Sequence, residues 1–181
     1  MNYTQSLRVT LAALLLAGCS TVTVTTDYDR SANFGALRTY AWRPGPQQGL
    51  DDPRFDRAFL DTRVHAAVDR VLAARGHQQA APGTAPDFLV GYHAVVRQKT
   101  SVQTINRWYG YRVGGWAAYP ATHTYDYDEG TLLIDVIEPT TMKLLWRGVG
   151  KGVVDPAASA EKRERRINDA VDQILADFPP H

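Results

Sequence analysis

"TLLIDVIEPTTMKLLWRGVGKGVV", residues 131–154, decides how the rest of the chain is read. Two apolar runs flank Pro139-Thr140-Thr141, which predicts a β-hairpin. A turn over 139–143 sets Ile137 opposite Leu145, Asp135 opposite Arg147 and Leu133 opposite Val149. It also sets Val136 beside Trp146 and Ile134 beside Gly148, so large side chains meet small ones. A slip of one residue would pair Asp135 with Trp146 instead. Asp135 and Arg147 are therefore read as a structural pair across two strands, a contact that contributes about 0.2–1 kcal/mol.

Upstream of the hairpin, residues 87–96, "DFLVGYHAVV", read as a buried strand that is apolar on both faces. It continues into polar residues 97–101 as a protruding or edge portion. Downstream, Asp155-Pro156 is the start signal of a helix. Its apolar stripe is Ile167, Ala170, Val171, Ile174 and Phe178, and Pro179-Pro180 ends it. An earlier helix has the same start signal at Asp52-Pro53, with a stripe of Leu60, Val64, Ala67, Val68, Val71 and Leu72 and a terminal Gly76. Residues 43–49 and 80–86 read as loop and linker, while residues 22–28 and 38–42 read as two further strands. The order is strand, strand, helix, strand, hairpin, helix. It predicts an α+β two-layer sandwich, a mostly antiparallel sheet of about five strands with both helices on one face.

The chain has 181 residues and a formal net charge of +1, with Lys and Arg spread along it. No basic stripe marks a nucleic-acid partner. The only cysteine, Cys19, ends the short apolar run of residues 9–17 and follows Ala17-Gly18. That run is too short to span a bilayer, which takes about 20 residues, and it fits the apolar part of a signal peptide. Leu16-Ala17-Gly18-Cys19 resembles a bacterial lipobox, in which the thiol accepts a diacylglycerol and the small residues admit a peptidase. The expected division is a signal peptide at 1–18, a lipidated N-terminus and short tether at 19–21, and one periplasmic domain at 22–181. Two or more acyl chains hold a protein stably on a membrane. With Ser20 rather than aspartate after the cysteine, resemblance to Gram-negative lipoproteins implies the outer membrane.

Tyr40-Ala41-Trp42, Pro86-Asp87-Phe88-Leu89-Val90, Glu129-Gly130-Thr131-Leu132 with Ile134-Asp135, and Leu145-Trp146-Arg147-Gly148 occur in this order over residues 22–178. Together they resemble the bacterial lipoproteins catalogued as domain of unknown function 4136. The resemblance implies an envelope lipoprotein with an α+β domain and brings no catalytic residues with it.

The chemistry-bearing residues form no familiar constellation. Gly148-Val149-Gly150-Lys151-Gly152 lacks the spacing and the Ser/Thr of a phosphate loop, so its glycines are read as clearing space beside Trp146. Asp126, Asp128 and Glu129 miss the calcium-loop register and read as a solvated acidic turn. Glu129 and Asp135 lie roughly 20 Å apart along one strand, too far for a glycosidase pair. His65, His77, His93, His123 and His181 lack metal-binding spacing, and His93 reads as a core histidine. No enzyme, metal or cofactor is expected, although an unrecognised hydrolase built from dispersed residues stays open.

The distinctive segment is 107–127, where Trp108, Tyr109, Tyr111, Trp116 and Tyr119 alternate with glycines in neither helical nor strand spacing. Aromatics with polar tips suit a docking surface for an envelope protein, glycan or lipid. Two other readings stand beside it: the rings cap the open sheet face, or they enclose a small-ligand or lipid-carrier pocket. The expected function is a lipid-anchored outer-membrane lipoprotein with a non-enzymatic interaction or structural domain.

Overall fold

The fold follows from two periodicities meeting across one layer. In the computed structural model, residues 22–44, 52, 54–105 and 121–180 are described, with the backbone alone for 101–105 and 121–125. The strands are β1 (Thr23–Tyr28), β2 (Thr39–Trp42), β3 (Gln78–Gln79), β4 (Phe88–Ile105), β5 (Ala121–Ile137) and β6 (Leu144–Val154). The helices are α1 (Arg57–Ala74), between β2 and β3, and α2 (Ala160–Ile174), after β6. The sheet order is β1-β6-β5-β4-β2-β3. The architecture is α+β, with six strands rather than five. Pairing is antiparallel from β1 through β4, and parallel for β2 with both β4 and β3.

Alternate residues of the central strands face the helices. Val90, Tyr92, Ile134, Val136 and Trp146 join Val64, Val68, Val71, Val171 and Ile174 in a single core cluster. Phe178, beyond α2, packs its ring 5.3 Å from Trp146 and 5.9 Å from Phe88. Such side chains each contribute about 1.5–3 kcal/mol on full burial. The hairpin register sets Leu133 opposite Val149, Ile134 opposite Gly148 and Val136 opposite Trp146. At Gly148 an added Cβ would lie 2.3 Å from Trp146 Cη2 and 2.5 Å from Ile174 Cγ2, so the indole occupies the space that a side chain would need.

Four sequence expectations are corrected. Ile137 pairs with Leu144, not Leu145, across a register shift after Val136. The turn closes one residue earlier than expected, with Glu138 N donating to Lys143 O at 2.8 Å and Met142 at φ 58°. Both helices start later than their Asp-Pro signals. Asp52 and Asp155 instead accept from the backbone N–H two residues on, each at 3.0 Å, and so form turns. Asp56 caps α1 by accepting from Ala58 N and Phe59 N, and Ser159 caps α2 by accepting from Lys162 N. The small-residue linker follows β3, an edge strand of two residues. Gly76 at φ 85° ends α1, with His77 N on Leu72 O and Gly76 N on Ala73 O, and the chain then meets β2. Finally, residues 121–127 belong to β5, so the acidic residues Asp126, Asp128 and Glu129 lie on a strand rather than a turn.

The short motifs have structural duties. Asp87 Oδ2 accepts from Arg38 N at 2.9 Å, Thr39 N at 2.8 Å and Thr39 Oγ1 at 3.0 Å, which locks β2 parallel to β4. Those backbone donors hold the Asp87 carboxyl below the usual carboxylate range. Tyr40 OH at 2.8 Å and Trp42 Nε1 at 3.0 Å both donate to Asp69 Oδ1, pinning α1 to β2.

Candidate functional site

The most prominent feature is a two-stranded ribbon. β5 makes its last pair with β6 at Asp128–Val154, and β2 makes its last pair with β4 at Trp42–Val90. β4 and β5 continue together through the pairs from Lys99–Tyr127 to Ile105–Ala121. Those seven pairs extend roughly 20 Å beyond β6. The base of the ribbon is braced by ions. Arg54 binds Asp128 at 2.7 Å and Asp52 at 2.6 Å, and Lys99 binds Glu129 at 2.6 Å. Thr100 Oγ1 donates to Asp126 Oδ1 at 2.7 Å. Arg54 holds the Asp52 carboxyl at about 2, below its usual value. Each of the three acidic residues thus has a side-chain partner. Among the described residues, no group of three or more His, Cys, Asp or Glu is arranged to hold a metal ion.

Segment 106–120 joins the two strands of the ribbon. Trp108, Tyr109, Tyr111, Trp116 and Tyr119 lie in it, outside the described residues, as does Cys19. No described helix is long and apolar enough to cross a membrane.

Asp135 and Arg147 occupy the sheet face away from the helices. Arg147 Nε donates to Asp135 Oδ1 at 2.6 Å, and Nη2 donates to Oδ2 at 2.7 Å. This bidentate bond raises the Arg147 pKa. Half-buried Leu133 and Val149 flank the pair on the same face.

The histidines are dispersed. His93 is half-buried on that open face rather than in the core. His77 is the buried one, 5.5 Å from the Phe88 ring and 5.6 Å from that of Phe178. Burial, and then the charge of Arg38, lower its pKa. His65 stacks on Trp42 at 3.7 Å, with Asp61 3.7 Å from its Nε2. Tyr92 OH donates to Asp61 Oδ1 at 2.7 Å. Burial and the bonded carboxylates push the phenols of Tyr40 and Tyr92 well above their usual range. These groups tie α1 to the sheet.

A feature that sequence reasoning missed is a cleft of about 430 Å³ on the helix side of the sheet. It lies between the N-terminal halves of α1 and α2. Ala94, Leu132 and Gly150 line its floor, and Arg63, Arg163 and Arg166 also border it. The glycine spacing at 130, 150 and 152 was a trace of it in the sequence.

The profile described as "Domain of unknown function (DUF4136)" matches residues 24–180. The chain belongs to the DUF4136 family. Among solved structures it is similar to a DUF4136 family protein from Bacteroides thetaiotaomicron, at 19% identity and a TM-score of 0.50, covering 87% of this chain and 96% of that one. It is also similar to a PDZ domain protein from Parabacteroides distasonis, at 12% identity and a TM-score of 0.50. That match covers 88% of this chain but spans only 36% of the other. At these identities the likeness concerns the DUF4136 fold alone. No curated protein matches the chain.

Proposed function

We propose that this DUF4136 protein is a lipid-anchored outer-membrane lipoprotein, held through Cys19, whose periplasmic domain binds another envelope component without catalysis. The ribbon carries this reading. Two paired strands that outrun the sheet lead to the aromatic segment 106–120. Tyr and Trp anchors are concentrated at the centres of binding surfaces. The ion pairs of Arg54 and Lys99 at the ribbon's base support its direction. The lipobox resemblance at residues 16–19 supports the anchor. The alternative, a small-ligand or lipid carrier using the aromatic segment 107–127, meets a cleft at a different place, beside the helices and lined by none of those residues.

Two measurements test the proposal. Mass spectrometry of the membrane fraction should find a mature protein starting at an acylated Cys19, and a free thiol there would remove the anchor. Thermal unfolding of Trp108→Ala and Trp116→Ala should leave the melting temperature unchanged if these rings serve a partner. A fall of several degrees would favour rings that cap the open sheet face.

A further inference from the structure

We propose that the cleft between the N-terminal halves of α1 and α2 holds the acyl chain of a single-chain anionic lipid, with the lipid's carboxylate on the arginine rim. The inference takes the Cys19 anchor as the reason the cleft lies close to a membrane.

The floor is made of two cross-strand rows, Ala94–Leu132–Gly150 and Val96–Gly130–Gly152. Their residues share the parity of the core positions and so face the helices. Deeper in the core the same parity carries Ile134, Val136 and Trp146, which fill the space beneath the helices. Toward β6's C-terminal end, small residues replace them and the cleft opens. The floor glycines are fixed by close neighbours. A Cβ at Gly130 would lie 2.4 Å from Val154 Cγ2, and one at Gly150 would lie 2.7 Å from Ile174 Cδ1. From the helix side Leu60, Val64 and Ile167 complete an apolar wall. A volume of about 430 Å³ is that of one small-ligand site, which suits one chain rather than two.

The rim supplies the charge. Arg163 Nη2 donates to Pro156 O at 2.7 Å, while its Nε is buried with no hydrogen-bond partner among the described residues. Three carboxylates also line the cleft, but two are engaged: Asp56 by the α1 N-cap, and Asp155 by Lys162 and Ala157 N. Four cations, Arg63, Lys151, Arg163 and Arg166, thus face three carboxylates, one of which is already paired with Lys162, so the balance favours an anion. The guanidinium fork matches a carboxylate.

Position indicates the source. Val22 lines the cleft, and it stands three residues from Cys19. Three residues span at most about 11 Å. An acyl anchor at Cys19 therefore keeps the cleft within reach of the bilayer, where single-chain anionic lipids partition.

The test uses the full lipidated protein in nanodiscs, with a diazirine-bearing palmitate and a matched diazirine-bearing hexadecanol. After irradiation, palmitate label is expected on peptides containing Leu60, Leu132 or Ile167. Combining Arg163→Gln with Arg166→Gln should lower that labelling about tenfold, to the level of the alcohol. Ala94→Phe should abolish it while leaving the melting temperature unchanged or higher. Equal labelling by palmitate and hexadecanol, label confined to other surfaces, or full labelling of a folded Ala94→Phe variant would each overturn the proposal. So would cleft labelling that appears only in Cys19→Ala, since the protein's own acyl chain would then be the occupant. Intact mass of the same sample reads acylation at Cys19. An acylated protein that captures no palmitate sinks the cleft proposal alone, and an unacylated one that captures it sinks the anchor alone.

Discussion

Adding one methyl group at Gly148 tests the packing logic of the whole domain. The new Cβ would stand 2.3 Å from Trp146 Cη2, 2.5 Å from Ile174 Cγ2 and 3.0 Å from Trp146 Cζ3. Carbon atoms in favourable contact sit about 3.5–4.0 Å apart, so three atoms must move by roughly an ångström. Neither neighbour has room, because Trp146 and Ile174 are both 0% exposed. Overpacking of this kind costs about 1–3 kcal/mol. For a domain of this size that lowers the melting temperature by roughly 2–12 °C. Gly150→Ala should be milder, since its nearest contacts, Ile174 Cδ1 at 2.7 Å and Cγ1 at 2.8 Å, are less close than those at Gly148. Gly35→Ala, with only Asn33 Oδ1 at 3.5 Å, should be close to neutral. Thermal and urea unfolding of the three variants gives the order directly. If Gly148→Ala matched Gly35→Ala, the claim that Trp146 fills the glycine's space would be wrong.

Other expectations follow from the polar groups. His77 has a lowered folded-state pKa, so the unfolded chain binds more protons in acid. Stability should be complete above the usual histidine value near 6.5 and decline as pH falls below it, and His77→Leu should flatten that part of a pH–stability curve. Asp69→Ala leaves the hydroxyl of Tyr40 and the indole N–H of Trp42 without their acceptor. It should cost about 1–3 kcal/mol in urea unfolding, and Asp69→Asn less. Asp69→Ala should also bring the Tyr40 phenol back toward its usual range, which ultraviolet titration reads. A double-mutant cycle on Asp135 and Arg147 should return only about 0.2–1 kcal/mol, because the Arg147 side chain remains 43% exposed.

The hairpin was readable because alternation and turn length act locally and agree on one register. The error at Ile137 arose where Met142 adopts a positive φ, a backbone choice that side-chain pattern does not reveal. The helix stripes were legible from the 3.6-residue period, but the starts were not. At Asp52 and Asp155 the carboxylate that signals a cap folds back on its own turn, and the true caps, Asp56 and Ser159, follow four residues later. Gln78-Gln79 carries no strand pattern. It becomes a strand because the turn after α1 delivers it beside Thr39 and Tyr40. Residues 121–127 show no strand spacing to a reader of the sequence because their pairing with 99–105 is supplied only by long-range register. The cleft left only its glycines as a trace for a similar reason, since its walls come from separate helices and strands that no single window of sequence contains.

In-cell photocrosslinking tests the central claim, that the domain binds a partner through the segment carried by the ribbon. The probe is placed in turn at Trp108, Tyr111, Trp116 and Tyr119, with controls at Glu164 and Asp172 on α2. A discrete adduct is expected from the aromatic positions and none from the helix. Adducts from Glu164 or Asp172 alone, with none from the aromatic positions, would contradict it.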